Sequence, residues 1–197
     1  MILFRHVDPR YPFLWETADQ PAARWHDVGD GPVHYLSDTP DGAWAEFIRH
    51  EEITDPGDLN GVERTMWAID LPAPPVRRSG LPRPVVTGGP DTYERCRRYA
   101  RRLRTEGEPG FSVEGAALRR GEARGWRVEN GLQPGADRNG LVVVLFGPRP
   151  ELTGWPAAPS TRAVLPGSGR SAKTNIPHIS RLASKPWLAG CTNRIRS

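Results

Sequence analysis

Six consecutive apolar residues, Leu141–Phe146, stand between two turn signals, Asn139-Gly140 and Gly147-Pro148. The run is too short for a helix of its own, and a strand with no polar position must be covered on both faces. The chain is therefore committed to a sheet with this segment in its interior and packed layers on each side. Ile2–His6, Val33–Ser37 and Arg64–Leu71 supply further strands, the last with β-favouring Met66, Trp67 and Ile69.

Two helices are predicted around this sheet. Thr39-Pro40-Asp41 provides an N-cap, a proline at the first turn and an acid suited to the helix dipole. Trp44, Phe47 and Ile48 then give the helical spacing of a segment ending near Glu52. A second helix spans about Asp91 to Thr105, with Tyr93, Cys96, Ala100 and Leu103 along one stripe and six arginines between Arg95 and Arg104 around the rest. Residues 72–89 and 118–140 are long Pro/Gly-bearing connections of the kind that shape a site. Strands and helices alternate too irregularly for a doubly wound parallel sheet, so the expected fold is α+β, one small mixed-sheet domain.

The net charge of +4 suggests nucleic acid, but the basicity is local. No acid follows Glu151, whereas seven basic residues do, which leaves 20 basic against 23 acidic residues in the rest. Both lysines, Lys173 and Lys185, lie in the same Ser/Pro/Arg-rich stretch, which has no period of 2 or 3.6. The expected division is a domain over 1–150 and a tail over 151–197 that is not part of it. No direct contact with nucleic acid is expected; a basic nucleic-acid-binding protein would rest on the tail alone. The arginines of the second helix read as a solvated, salt-bridged face.

Cys96 and Cys191 support neither a disulfide framework nor a zinc site, and the five histidines lack metal-ligand spacing. No run approaches a membrane span and the amino terminus lacks the pattern of a signal peptide, so a cytoplasmic protein without membrane association is expected. Gly88-Gly89 and Gly29-Asp30-Gly31 mark turns and lack the strand–helix setting of a dinucleotide fingerprint.

Chemistry-bearing residues gather in the amino-terminal third: Arg5, Arg24-Trp25, Tyr35-Leu36-Ser37 and Glu46. The run Ala22-Ala23-Arg24-Trp25-His26, Gly29, Val33-His34-Tyr35-Leu36-Ser37 and Ala43-Trp44-Ala45-Glu46 resembles the pattern of the RES family. Later segments, including Tyr93–Thr105, Gly115-Ala116-Ala117-Leu118, Ala123–Val128 and Asn139–Pro150, are similar to family segments too. The resemblance covers most of residues 1–150. It implies a fold like that of ADP-ribosyltransferase toxins and degradation of NAD at the nicotinamide–ribose bond, with water or phosphate as acceptor. NAD is then the substrate and no cofactor is expected. The implied partner is a cognate antitoxin with a helix-turn-helix domain, and a homo-oligomer is a further option.

The residue types suit that chemistry. Cleavage of an N-glycosidic bond develops positive charge on the ribose, which a carboxylate such as Glu46 stabilises. A guanidinium forks onto a pyrophosphate, the role the resemblance gives Arg24, with Arg5 beside it. Tyr35 matches the aromatic that holds nicotinamide. The family's signature serine is matched here by Gly115, and His26 takes the usual Asn position. Ser112, three residues earlier, is the nearest hydroxyl and the second catalytic candidate. An ion-paired Arg24, a half-buried strand Tyr35 and a solvated helix-face Glu46 are the structural readings of the same residues. The alternative function is a catalytically impaired relative that only binds a nucleotide or protein partner.

Overall fold

The structure, a computed structural model, describes residues 1–162 apart from Ala18 and Val76. In chain order the elements are β1 (Ile2–Val7), β2 (Val33–Ser37), α1 (Pro40–His50), β3 (Glu63–Asp70), α2 (Arg83–Thr87), α3 (Tyr93–Thr105), β4 (Gly110–Glu114), β5 (Trp126–Val128), β6 (Leu132–Pro134), β7 (Leu141–Phe146) and β8 (Thr153–Arg162). Six strands form one sheet in the order β4-β7-β2-β1-β3-β8, and β5-β6 form a separate hairpin. Neighbouring strands are antiparallel throughout, and the parallel component is a single bridge between Arg78 and Ser112 beside β4. The fold is α+β as expected, with a few helices on a mostly antiparallel sheet.

β7 lies between β4 and β2 and feeds two cores, as its uninterrupted apolar sequence requires. Val142, Val144 and Phe146 join Val33, Phe111 and Val113 against Val85 and Val86 of α2 and Cys96, Ala100 and Leu103 of α3. Val143 and Leu145 point the other way, toward Leu3, Leu36, Ile69, Leu14 and Leu152. The stripe predicted for α3 is the buried one, with Cys96 a free thiol inside the core. The join between β2 and β1 is short, a single registered pair Phe4–Ser37, so the sheet comprises two three-stranded halves.

α1 crosses this join. Its capping follows the sequence: Thr39 Oγ1 accepts from the Gly42 N–H at 3.0 Å, Pro40 opens the first turn, and Arg49 and His50 stand at the carbonyl end. A side chain at position 42 would lie 3.3 Å from the Ser37 Cβ, so glycine lets α1 approach the end of β2. His6 of β1 stacks on Trp44 at 5.6 Å and meets the edge of Phe47, while the Arg64 guanidinium lies over the Phe47 ring at 4.4 Å.

Five elements depart from the sequence reading. β4 has no counterpart in the sequence reading, because only Phe111 and Val113 are apolar in it. α2 and the β5-β6 hairpin occupy the two long connections. The hairpin turns through Asn130 and Gly131, both at positive φ, and is exposed throughout. Finally, residues 153–162 had been assigned to a tail outside the domain, yet β8 pairs along β3 from Thr153–Asp70 to Arg162–Glu63 with two register irregularities. Pro156 and the bulges are tolerated because β8 is an edge strand, where a missing N–H leaves no ladder partner unsatisfied. The domain therefore extends past the expected boundary at 150. Residues 163–197, with Cys191, His178 and both lysines, lie outside the described residues.

His34 of β2 is fully buried; its Nε2 meets the Gly147 carbonyl at 3.2 Å, and burial, reinforced by Arg5, pushes its pKa down to about 4. Burial also holds His6 neutral, followed in effect by Arg64 and Arg5. In the unfolded chain both imidazoles titrate near 6.5. Their contribution to stability is complete above that pH and is lost as pH falls toward the folded values. Urea unfolding should show stability decreasing from pH 7 to pH 5, by up to about 1.4 kcal/mol per pH unit for each imidazole. His34→Gln should flatten the slope; a profile indifferent to pH in this window would contradict the assignment.

Candidate functional site

The site is built around α1. Glu46 sits on its second turn, and its Oε1 accepts two consecutive backbone N–H bonds, from Ala116 at 2.9 Å and Ala117 at 3.1 Å. One helical turn later, Arg49 donates to the carbonyl of that same Ala116, to Thr87 at 3.0 Å and to Gly88 at 2.9 Å. Residues three apart share a helix face, so the pair grips Ala116 and Ala117 from one side. Among the described residues no partner engages Glu46 Oε2, which leaves one oxygen of a fixed, half-buried carboxylate for a ligand.

Arg24 converges on the same place from the opposite strand connection. Its Nη2 donates to the Gly88 carbonyl at 2.9 Å, its Nη1 to Val85 at 3.5 Å and to Thr92 Oγ1 at 3.4 Å, and its guanidinium lies over the Tyr93 ring at 4.6 Å. These carbonyls end α2, where positive charge is favoured. Arg24 pairs with no carboxylate among the described residues, and Asp27, three residues on, pairs with Arg97. Two arginines thus share the Gly88 carbonyl.

Tyr35 closes the network. Its hydroxyl accepts from the Trp25 N–H at 3.1 Å and lies 2.8 Å from His26 Nδ1. His26 Nε2 faces the Pro21 carbonyl at 2.9 Å, so the proton sits on Nε2, and Tyr35 donates to Nδ1. Burial lowers the His26 pKa and raises that of Tyr35, which keeps both neutral. The Tyr35 ring packs against the α3-side core. A continuous chain of contacts therefore runs Tyr35–Trp25–Arg24–Gly88–Arg49–Ala116–Glu46. Arg49 was not singled out from sequence, although its i+3 position from Glu46 was a usable signal.

Gly115, standing where the serine was expected, is adjacent to Glu46. A Cβ built there would lie 3.8 Å from Glu46 Oε1 and 3.4 Å from the Gly140 carbonyl, and the backbone is not in the left-handed region. The structure does not bring Ser112 to the same place. It lies mid-strand in β4, its hydroxyl donating to the Arg77 carbonyl at 3.5 Å, because its apolar neighbours Phe111 and Val113 claim the core-facing side. Arg5 belongs to the join between half-sheets, paired in register with Trp67. Burial brings its pKa down to about 10, and both its Nη1 and the Trp67 Nε1 are buried without a hydrogen-bond partner among the described residues. No cluster of His, Cys, Asp or Glu fit for a metal occurs among the described residues.

Beside the Gly115–Gly140 pair, joined by a 2.9 Å backbone bond, lies a groove of about 460 Å³. Glu114 and Asn139, which immediately precede the two glycines, line it together with Ser112 and Arg138. Asp38 fixes this wall: its Oδ1 accepts from the Leu141 N–H at 2.8 Å and its Oδ2 pairs with Arg138.

The family model described as the RES domain matches residues 2–131, two thirds of the chain and every residue of the Tyr35–Glu46 network. The chain belongs to the RES-domain family. Its fold is similar to that of a chain in the crystal structure of the M. tuberculosis MbcT-MbcA toxin-antitoxin complex, with a TM-score of 0.53 and 18% identity over 78% of this chain and 82% of that one. No curated protein matches in sequence. β7, β8 and the Arg138–Asn139 wall lie beyond the matched part of the RES domain, so that the groove is bounded partly by segments outside it.

The contacts predict that Arg24→Ala and Arg49→Ala each lower the unfolding free energy by roughly 1.5–3 kcal/mol, the range for hydrogen bonds to charged groups. The double variant should lose less than the sum, because both guanidinium groups serve the Gly88 carbonyl. Urea denaturation of the four proteins measures this; strictly additive losses would contradict a shared acceptor.

Proposed function

We propose that this RES-domain chain is the toxin of a toxin–antitoxin pair and degrades NAD by cleaving the nicotinamide–ribose bond. The observation that carries the reading is the state of Glu46: one carboxylate oxygen held by two backbone N–H groups, the other unengaged among the described residues. In this reaction the C1′–N bond breaks and its electron pair leaves with nicotinamide. The ribosyl cation is captured by water or phosphate, and the proton of the acceptor passes to solvent. A carboxylate already desolvated on one oxygen and fixed in place needs little reorganisation to hydrogen-bond a ribose hydroxyl and oppose the developing charge. Arg24 and Tyr35 act in this scheme by shaping the wall behind Glu46, because a contact from Arg24 to the pyrophosphate would cost its bonds to the Val85 and Gly88 carbonyls.

A second reading, binding without turnover, is favoured by one specific feature. Gly115 brings no hydroxyl to a position 3.8 Å from the Glu46 carboxylate. The antitoxin reading has independent support in the β5-β6 hairpin. The cross-strand pairs Trp126–Pro134 and Val128–Leu132 put four apolar side chains on one face, with Trp126, Val128 and Leu132 exposed by 60, 85 and 67%. Such a surface is typical of a protein interface. A helix-turn-helix domain in that partner, and a cytoplasmic setting for the pair, complete the proposal.

The purified chain incubated with NAD, with and without phosphate, should release free nicotinamide. Glu46→Gln should bind NAD with similar affinity but lose at least about 100-fold in rate, since the amide keeps the shape and removes the charge. Gly115→Ser should raise the rate. Undiminished release by Glu46→Gln would overturn the mechanism, and absence of release by both the unsubstituted protein and Gly115→Ser would establish the binding-only reading.

A further inference from the structure

The groove beside Gly115 and Gly140 has a chemical character that the Glu46 chemistry does not use. Its floor is apolar, with Leu81, Val86 and Leu141, and its rim carries Arg78, Arg83 and Arg138. Two of these arginines are already matched, Arg83 by Glu114 at 2.8 Å and Arg138 by Asp38. Arg78 is exposed and its side chain has no partner among the described residues, and Arg120 adds a second excess positive charge 3.9 Å from the shared Glu114. The local balance is thus four guanidinium groups against two carboxylates. Asn139 accepts from the Gly121 N–H through Oδ1, which turns its amide donors to other use.

We propose that this groove binds a nucleoside diphosphate, with the base on the apolar floor and the diphosphate on Arg78 and the Asn139 amide. A floor of aliphatic side chains accepts a flat base without hydrogen-bond demands, and a planar guanidinium at the mouth both forks onto phosphate oxygens and stacks on the base. The volume of about 460 Å³ falls within the range of small-molecule sites. Inorganic phosphate alone would leave the apolar floor uncovered, and a nucleoside alone would leave Arg78 unmatched. The inference rests on the NAD reading for one clause only: the groove then holds the adenosine diphosphate end of the substrate while Glu46 faces the nicotinamide ribose. Arg78, and not Arg24, becomes the pyrophosphate-binding arginine.

Calorimetric titration of the 197-residue chain with ADP tests the site without reference to turnover. ADP is expected to bind more tightly than inorganic phosphate or adenosine, and more weakly as salt is raised. Arg78→Ala should weaken ADP binding about tenfold and Arg78→Glu further; circular dichroism should show both folded, since the side chain holds nothing in place. If the chain also releases nicotinamide, Arg78→Ala should raise KM for NAD about tenfold more than for nicotinamide mononucleotide, which lacks the adenosine phosphate end. No ADP binding by the unsubstituted protein, or equal binding by the Arg78 variants, overturns the proposal. ADP binding that depends on Arg78 in a chain releasing no nicotinamide supports the groove and rejects only the NAD-cleaving reading.

Discussion

The arrangement of this domain depends on one carboxylate gripping one stretch of backbone. Glu46 receives the N–H groups of Ala116 and Ala117, and Arg49 on the same helix face takes the carbonyl between them. Those bonds set where the chain goes after β4, hence where Gly115 and Gly140 meet and where the groove opens. They also tie α1, which crosses the join between two half-sheets held by a single registered pair, to the far edge of the sheet. Charge-assisted bonds to backbone are among the stronger polar contacts, and half-burial protects them from screening. A shift of this clamp would move the base of the groove and the candidate catalytic group together.

The arginines illustrate how position, and not residue type, sets a role. Arg24 and Arg49 meet at the Gly88 carbonyl, and Arg78 and Arg138 line the groove. The first two spend their donors on carbonyls at the end of α2, where the backbone dipole welcomes them. Arg138 is neutralised by a buried aspartate, and Arg78 is left at the surface with its full charge. The arginine that matches the family pattern is therefore the one most engaged in structure. The unmatched one faces the groove.

Much of this was legible in the sequence, for local reasons. β7 is dense in apolar residues and flanked by glycines, α1 carries its own cap, and β2 has the same bounds in both readings. β4 was missed because two apolar side chains in five, Phe111 and Val113, are a weak pattern, and β8 because Pro156 and its bulges hide the period of an edge strand. The hairpin has no buried face to write a pattern at all. In the site, Glu46 was found through its family resemblance. The convergence on the Gly88 carbonyl was invisible because it is a property of the backbone, which no side-chain motif encodes. Ser112 was chosen for its hydroxyl, and strand parity then turned it away.

The clamp can be read directly from native-state hydrogen exchange at two amides, Ala116 and Ala117, in the unsubstituted chain and in Glu46→Ala. If the carboxylate holds the loop, both amides exchange slowly in the unsubstituted protein. They should approach the rates of free peptide in the variant, while the amides of β7 keep their protection. Equal protection of Ala116 and Ala117 in the two proteins would contradict the account.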